Sequence, residues 1–253
     1  MITTDSLNVL ATLAREAGAA AMRHYDHQGP VTQKGDKGPV TEADRAAHRV
    51  IVAGLGRWTP DIPVISEEGE IPGFEARRAW PRFWLVDPLD GTKEFIQKNG
   101  EFTVNIALID GSTPVLGVVL APAIGLLYAA GRGLGAWKQE GDGARRTIAY
   151  RPVPKGHPIV VAESRSHPSA ELDAWLGNRA VARRVQAGSS LKFCWVAEGR
   201  ADVYPRFGPT MEWDTAAGDC IYRYAGTADR PPSPLVYNKP DLTNLSFVIG
   251  AAA

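Results

Sequence analysis

The sequence predicts a mixed α+β fold in two halves, an antiparallel meander followed by an α/β layer. Three observations carry this. Residues 102–138 fall into short apolar or alternating runs separated by turn residues, the pattern of hairpin-connected strands. Around Pro152-Val153-Pro154-Lys155-Gly156 the punctuation changes. Beyond it, strand-like and helix-like segments alternate as far as residue 224, which is the order of an α/β layer. The expected division is therefore residues 1–155 and 156–253.

The elements follow in order. Leu7, Leu10, Leu13, Ala14, Ala17 and Ala21 recur at a helical period, predicting an amphipathic helix over 5–25. Residues 29–39, dense in glycine and proline, form a loop. Thr41 is a good N-cap, with Glu42 and Asp44 in the first turn of a helix running to about Leu55. A strand over 63–66 delivers Glu67 and Glu68, and another over 82–86 delivers Asp87. The meander takes strands 102–109, 115–120, 125–130 and 136–138. The second half takes strands 157–162, 180–185, 201–204 and 247–249 and helices 169–176, 189–198 and 215–224.

Composition narrows the function classes. The 253 residues carry 28 Lys+Arg against 28 Asp+Glu, so there is no basic excess for a nucleic acid polymer. The most apolar run, 115–130, contains Pro122 and two glycines and reads as buried strands rather than a membrane span. The start lacks the basic-then-apolar order of a signal peptide, and no anchor is expected. Cys194 and Cys220 sit among apolar residues and read as reduced core thiols.

Asp87-Pro88-Leu89-Asp90-Gly91-Thr92 is the most informative stretch. Two carboxylates three residues apart converge if the backbone turns sharply after the strand, and Pro88 and Gly91 favour such a turn. The turn also aims the Leu89 carbonyl alongside them. Hard cations such as magnesium take oxygen ligands of this kind. Gly91-Thr92 opens a helical turn whose N–H groups suit phosphate oxygens. A lone segment of this type is often only a solvated turn. Here Glu67-Glu68, Thr41-Glu42-Ala43-Asp44 and Glu212-Trp213-Asp214-Thr215 place further acids at element ends. Glu68 reads equally well as plain surface charge.

These segments, Pro39 to Asp44, Ile65 to Glu68, Trp84 to Thr92 and Trp213 to Gly218, resemble the four signatures of the inositol monophosphatase superfamily, in its order. Asp90 to Ile96, Asn99 to Ala107, Gly188 to Cys194, Tyr204 to Thr210 and Tyr237 to Asp241 are similar to its bacterial 3′(2′),5′-bisphosphate nucleotidase branch. The resemblance implies an αβαβα sandwich of the sugar-phosphatase type and a magnesium-dependent phosphomonoesterase acting on a small phosphorylated nucleotide. It implies lithium inhibition, and a cytoplasmic enzyme whose relatives have also been placed on the inner membrane face. By the same resemblance Glu67, Asp87 and the Leu89 carbonyl hold one magnesium, and Asp87, Asp90 and Asp214 a second. A third, weaker ion faces Glu67. Thr92, paired with Asp44, binds the attacking water, making Asp44, Thr92 and Glu67 the catalytic set.

Substrate contacts are implied for Glu67, Leu89, Asp90, Gly91, Thr92 and Asp214, with Ser189, Lys192 and Arg206 taking the 5′-phosphate and His167 stacking near adenine. Each has a plainer reading: a helix cap for Ser189, a surface ion pair for Arg206, a loop histidine for His167. The leading substrate is 3′-phosphoadenosine 5′-phosphate, hydrolysed to AMP in sulfur assimilation, with its sulfated precursor as a second. The alternative is an inositol-1-phosphate or fructose-1,6-bisphosphate phosphatase. A catalytically silent binding protein would lack a ligand, and none is missing. Tyr237-Asn238-Lys239-Pro240 either shapes a loop near the site or closes a sheet edge.

Overall fold

The computed structural model describes residues 2–26, 32–33, 39–154, 156–166, 169–226 and 232–250. Helix α1 (Thr4–Met22) starts at Thr3, whose side chain accepts from the Ser6 N–H, and buries its Leu7, Leu10, Leu13 and Ala14 face. Strands β1 (Thr32–Gln33) and β2 (Pro39–Val40) form a small antiparallel pair. Helix α2 (Glu42–Trp58) begins at Thr41, as its sequence predicts, and packs on α1.

The large sheet follows from β3 (Val64–Ser66), α3 (Phe74–Arg77), β4 (Arg82–Asp90), α4 (Thr92–Ile96) and β5 (Thr103–Asp110). It continues through β6 (Thr113–Ala121), β7 (Leu126–Gly131), β8 (Gly135–Glu140) and β9 (Arg146–Ile148). Its seven strands lie in chain order. Strand β3 is parallel to β4, and every later pair is antiparallel, giving the expected meander.

The second sheet is built from β10 (Ile159–Ser164), α5 (Ala170–Leu176), β11 (Val181–Ala187), α6 (Leu191–Ala197) and β12 (Val203–Arg206). The short pair β13 (Thr210–Met211) and β14 (Thr243–Asn244) flanks α7 (Glu212–Tyr224), and β15 (Phe247–Gly250) ends the described chain. The strand order is β11-β10-β12-β15, parallel but for β15. Helices α1 and α2 lie against the large sheet, α6 and α7 connect the two sheets, and Leu172 and Leu176 of α5 pack on Ile159, Val161 and Val203 of the small one. The layers are αβαβα. Cys194 and Cys220 are free and buried in the core that joins the sheets.

Three boundaries that bear on the cleft differ from expectation. Strand β4 does not end at Val86 but runs to Asp90. Helix α6 begins at Leu191, because Ser189 has φ 51°, a left-handed conformation that no helix accommodates. Helix α7 begins at Glu212 rather than Thr215, since the Asp214 carboxylate accepts from the Met211 N–H at 2.9 Å and caps the helix three residues earlier. No helix among the described residues is long and apolar enough to cross a membrane.

Candidate active site

On a regular strand, residues three apart face opposite ways. Asp87 and Asp90 escape this parity. Asp87 is paired with Asn105 and Asp90 with Thr103, so β4 spends three steps where β5 spends two. The extra residue, in the Pro88-Leu89 stretch, is a bulge that returns Asp90 to the face of Asp87. The sharp turn expected after Val86 is thus a bulge within a continuing strand. The chain turns only at Gly91, with φ 92°, where a Cβ would collide with the Ser189 Oγ and lie 3.0 Å from Glu94 Oε2.

The two acids line a cleft of about 350 Å³ together with Glu67, Leu89, Gly91, Thr92 and Asp214 from the large sheet and α7. Ser189, Lys192 and Arg206 line it from the other side. Glu68 does not line it. His167 lies outside the described residues. Asp44 sits behind the wall: its Oδ2 accepts from the Thr41 N–H at 2.7 Å and hydroxyl at 2.6 Å, while Oδ1 accepts from the Thr92 hydroxyl at 3.4 Å.

The electrostatics are those of an acid cluster under strain. Burial, and then the charges of Glu67, Asp90 and Asp214, push the Asp87 carboxyl well above the usual range. Burial pushes Asp90 up to about 6, with Lys192 opposing. Asp214 is raised by burial, Asp90 and Glu67. Burial also raises Asp44, against its hydrogen bonds from Thr41. The same cleft brings the Lys192 ammonium down to about 8 through burial, with Asp90 opposing. Each of the three cluster aspartates has one oxygen fixed by a neighbour: Asp87 Oδ1 by the Leu89 N–H at 3.1 Å, Asp90 Oδ2 by Asn105 Nδ2 at 3.3 Å, Asp214 Oδ2 by the Met211 N–H.

Among the described residues, no three acidic, histidine or cysteine side chains yet close on one point as a ligand shell. The donor set nonetheless fits a hard cation. It is all oxygen, Asp87 is buried and Glu67, Asp90 and Asp214 half-buried, and its mutual repulsion is relieved by positive charge at its centre.

Sequence reasoning missed Asn105. It is buried in β5, and its Nδ2 bridges Asp90 Oδ2 and the Ser190 Oγ at 3.1 Å. The signal was there, an amide between Val104 and Ile106 in an otherwise apolar strand. Ser190 donates in turn to the Asp214 carbonyl at 2.6 Å, and the Ser189 hydroxyl donates to the Asp90 carbonyl at 2.7 Å. Neither serine caps α6 with its side chain, contrary to the plainer expectation. Arg206 forms no carboxylate pair among the described residues, and its buried Nε has no hydrogen-bond partner there.

The inositol monophosphatase family model matches residues 4–244. The chain belongs to that family. Metal dependence, usually on magnesium, is general in it. The chain is 54% identical over 222 residues to the Escherichia coli 3′(2′),5′-bisphosphate nucleotidase CysQ, spanning 87% of this chain and 88% of that one. It is 36% identical over 255 residues to the CysQ nucleotidase of Aggregatibacter actinomycetemcomitans, spanning 99% and 94%. Among solved structures, CysQ of Bacteroides thetaiotaomicron superposes with a TM-score of 0.81 at 40% identity, covering 97% of each chain. An IMPase of Thermotoga maritima superposes at 0.73 and 28%, covering 88% of this chain and 84% of that one.

Proposed function

We propose that this cleft removes the 3′-phosphate of 3′-phosphoadenosine 5′-phosphate, and of its 5′-sulfated precursor, through two or three bound magnesium ions. The chain is a 3′(2′),5′-bisphosphate nucleotidase, the activity named for its 54% identical relatives. The observation that carries the substrate reading is the meeting, in one cleft, of the acid cluster with Ser189, Lys192 and Arg206. A monophosphate needs only the first group. A second anion on the substrate accounts for a buried lysine and an arginine with no carboxylate partner among the described residues.

In this reading Glu67, Asp87 and the Leu89 carbonyl hold one ion, Asp87, Asp90 and Asp214 another, and Glu67 borders a third. Bound magnesium supplies charge neutralisation and a water of lowered pKa. The protein's own part is orientation. Thr92 donates its proton to Asp44 Oδ1, which turns a lone pair of Thr92 Oγ1 toward the cleft to accept from a water. Asp44 is held for this by Thr41. Asn105 fixes the Asp90 side chain and Ser189 the Asp90 backbone, so both ends of that residue are set before substrate arrives. The 1–155 half thus supplies most of the metal ligands and the 156–253 half most of the second-anion groups.

Phosphate release from 3′-phosphoadenosine 5′-phosphate, 3′-AMP and inositol 1-phosphate tests the reading, with an Arg206→Ala variant alongside. The expected result is a preference for the bisphosphate that Arg206→Ala abolishes. An unchanged preference in the variant overturns it.

A further inference from the structure

Two carboxylates, Glu94 in α4 and Glu101 in the segment leading from it into β5, reach across to the second sheet. Glu94 Oε1 accepts from the Ser166 hydroxyl. Glu101 Oε2 accepts from Arg165 Nε at 2.7 Å and from the Gly188 N–H at 2.8 Å, and its Oε1 accepts from Arg165 Nη2 at 2.8 Å. Arg165 Nη2 also donates to the Gln186 carbonyl at 3.0 Å. The contact at Gly188 is tight: a Cβ there would lie 2.6 Å from the Glu101 carbonyl and 2.9 Å from Glu94 Cγ. The turn after β11 is therefore pressed against this segment and hydrogen-bonded to it.

That turn carries the second-anion groups. Ser189 follows Gly188 directly and holds φ 51°, a conformation that a residue with a Cβ adopts only when its surroundings impose it. Three contacts impose it here. The Ser189 hydroxyl donates to the Asp90 carbonyl, Lys192 Nζ donates to the Ser189 carbonyl at 2.6 Å, and Glu101 holds the N–H of the preceding residue. The first two are made by groups inside the cleft. Glu101 does not line it. The Arg165–Glu101 pair is partly exposed, and solvent and salt screen what it contributes. The bond to the Gly188 N–H is different in kind: it is charge-assisted and fixes backbone next to the strained residue.

We propose that Glu101 is a positioning residue for the second-anion subsite: by holding the Gly188 N–H it sets the Ser189–Lys192 turn, and so the preference for a bisphosphorylated nucleotide over a monophosphate. This rests on reading Ser189, Lys192 and Arg206 as that subsite.

The test measures KM and kcat of the full chain with magnesium on 3′-phosphoadenosine 5′-phosphate and on 3′-AMP, which has no second phosphate. Losing one charge-assisted bond raises KM for the bisphosphate about tenfold in Glu101→Ala. Its kcat stays within about twofold and KM for 3′-AMP is unchanged, since Asn105 still fixes the Asp90 side chain and the Ser189 hydroxyl that holds the Asp90 carbonyl is not itself removed. Glu101→Gln, which keeps an acceptor for the Gly188 N–H, shows a smaller bisphosphate-selective rise. Arg165→Met moves KM less than Glu101→Ala because it leaves that bond in place. A rise shared equally by both substrates, a fall in kcat on both, or no change in Glu101→Ala overturns the proposal. Should Glu101→Ala fail to fold, Glu101→Gln decides: a bisphosphate-selective rise supports it, and its absence overturns it. Arg206→Ala separates the two readings. If it leaves the preference intact, the subsite reading fails; if it abolishes the preference while the Glu101 variants do nothing, only the role of Glu101 fails.

Discussion

Replacing Arg77 with methionine tests how the start of α7, and with it Asp214, is held in place. Arg77 is 1% exposed, yet its guanidinium pairs with no carboxylate at contact distance among the described residues. Instead it donates to the Pro72 carbonyl at 3.2 Å, Asn238 Oδ1 at 2.6 Å, and the Lys239 and Pro240 carbonyls at 2.7 and 2.8 Å. The same loop is gripped from the other side by Glu212, the first residue of α7, which accepts from the Asn238 N–H at 2.7 Å, the Lys239 N–H at 2.8 Å and Lys239 Nζ at 2.8 Å. Of the two expected roles, the Tyr237–Pro240 segment thus takes the first, a loop near the site, and not that of a sheet edge. It is a latch across the N-terminus of α7. Methionine keeps most of the aliphatic volume and removes every donor. The four acceptors left behind belong to residues that are half-buried (Pro72, Asn238, Lys239) or exposed (Pro240), so water replaces part of what is lost. At about 1–3 kcal/mol per buried acceptor, reduced for that access, the loss is about 3–5 kcal/mol. For a chain of this length that lowers Tm by roughly 10 °C. Differential scanning calorimetry without metal reads it directly. A double-mutant cycle with Glu212→Gln gives a coupling above about 0.5 kcal/mol, because both side chains act on one loop. A variant melting within 2 °C of the parent would show that the latch bears no load, and the reasoning fails.

Asp90→Asn and Asp214→Asn each remove most phosphate release while leaving the far-ultraviolet circular dichroism unchanged; near-normal turnover at saturating magnesium rules out the assignment. Gly91→Ala places a Cβ against Ser189 Oγ at a φ of 92° and costs about 1–2 kcal/mol from backbone strain alone, so both Tm and activity fall. Full activity in that variant contradicts the packing described. Burial holds Lys192 at about 8 against 10.5 in the unfolded chain. The folded chain binds fewer protons in that window, so the stability term from this group rises with pH between those values. The positive charge that the proposed reading offers to a second phosphate is lost over the same window. KM for the bisphosphate therefore climbs as pH passes 8, KM for 3′-AMP does not, and Lys192→Met abolishes the difference between their profiles.

Periodicity made the meander and the α/β layer legible, because burial on one face forces the period of the chain. The acid cluster was legible because its members stand at element ends in sequence. What escaped is whatever a long-range contact decides. Nothing local to Pro88-Leu89 says that β4 will continue with one residue too many; the β5 register decides it. Helix α7 begins at Glu212 because Asp214 turns back to cap it, and α6 begins late because Ser189 is held left-handed by Asp90 and Lys192. Glu101 and Arg77 are ordinary charged residues in the sequence. Their roles come from partners 64 to 163 positions away.

In the proposed reading Asp90 is where the two functions of the cleft meet, and its surroundings would link them. Its side chain belongs to the acid cluster and is oriented by Asn105. Its carbonyl takes the only proton that the Ser189 hydroxyl has to give. A phosphate arriving at Ser189 needs donors, so it either takes that proton from the Asp90 carbonyl or binds through other groups at Ser189, Lys192 and Arg206. In the first case, filling the second-anion subsite releases the Asp90 backbone beside the metal ligands. In the second, the Asp90–Ser189 bond stands through turnover. Ser189→Ala tells them apart. A KM increase for the bisphosphate beyond any change on 3′-AMP follows from the first, and equal damage on both substrates, through a loosened Asp90, follows from the second.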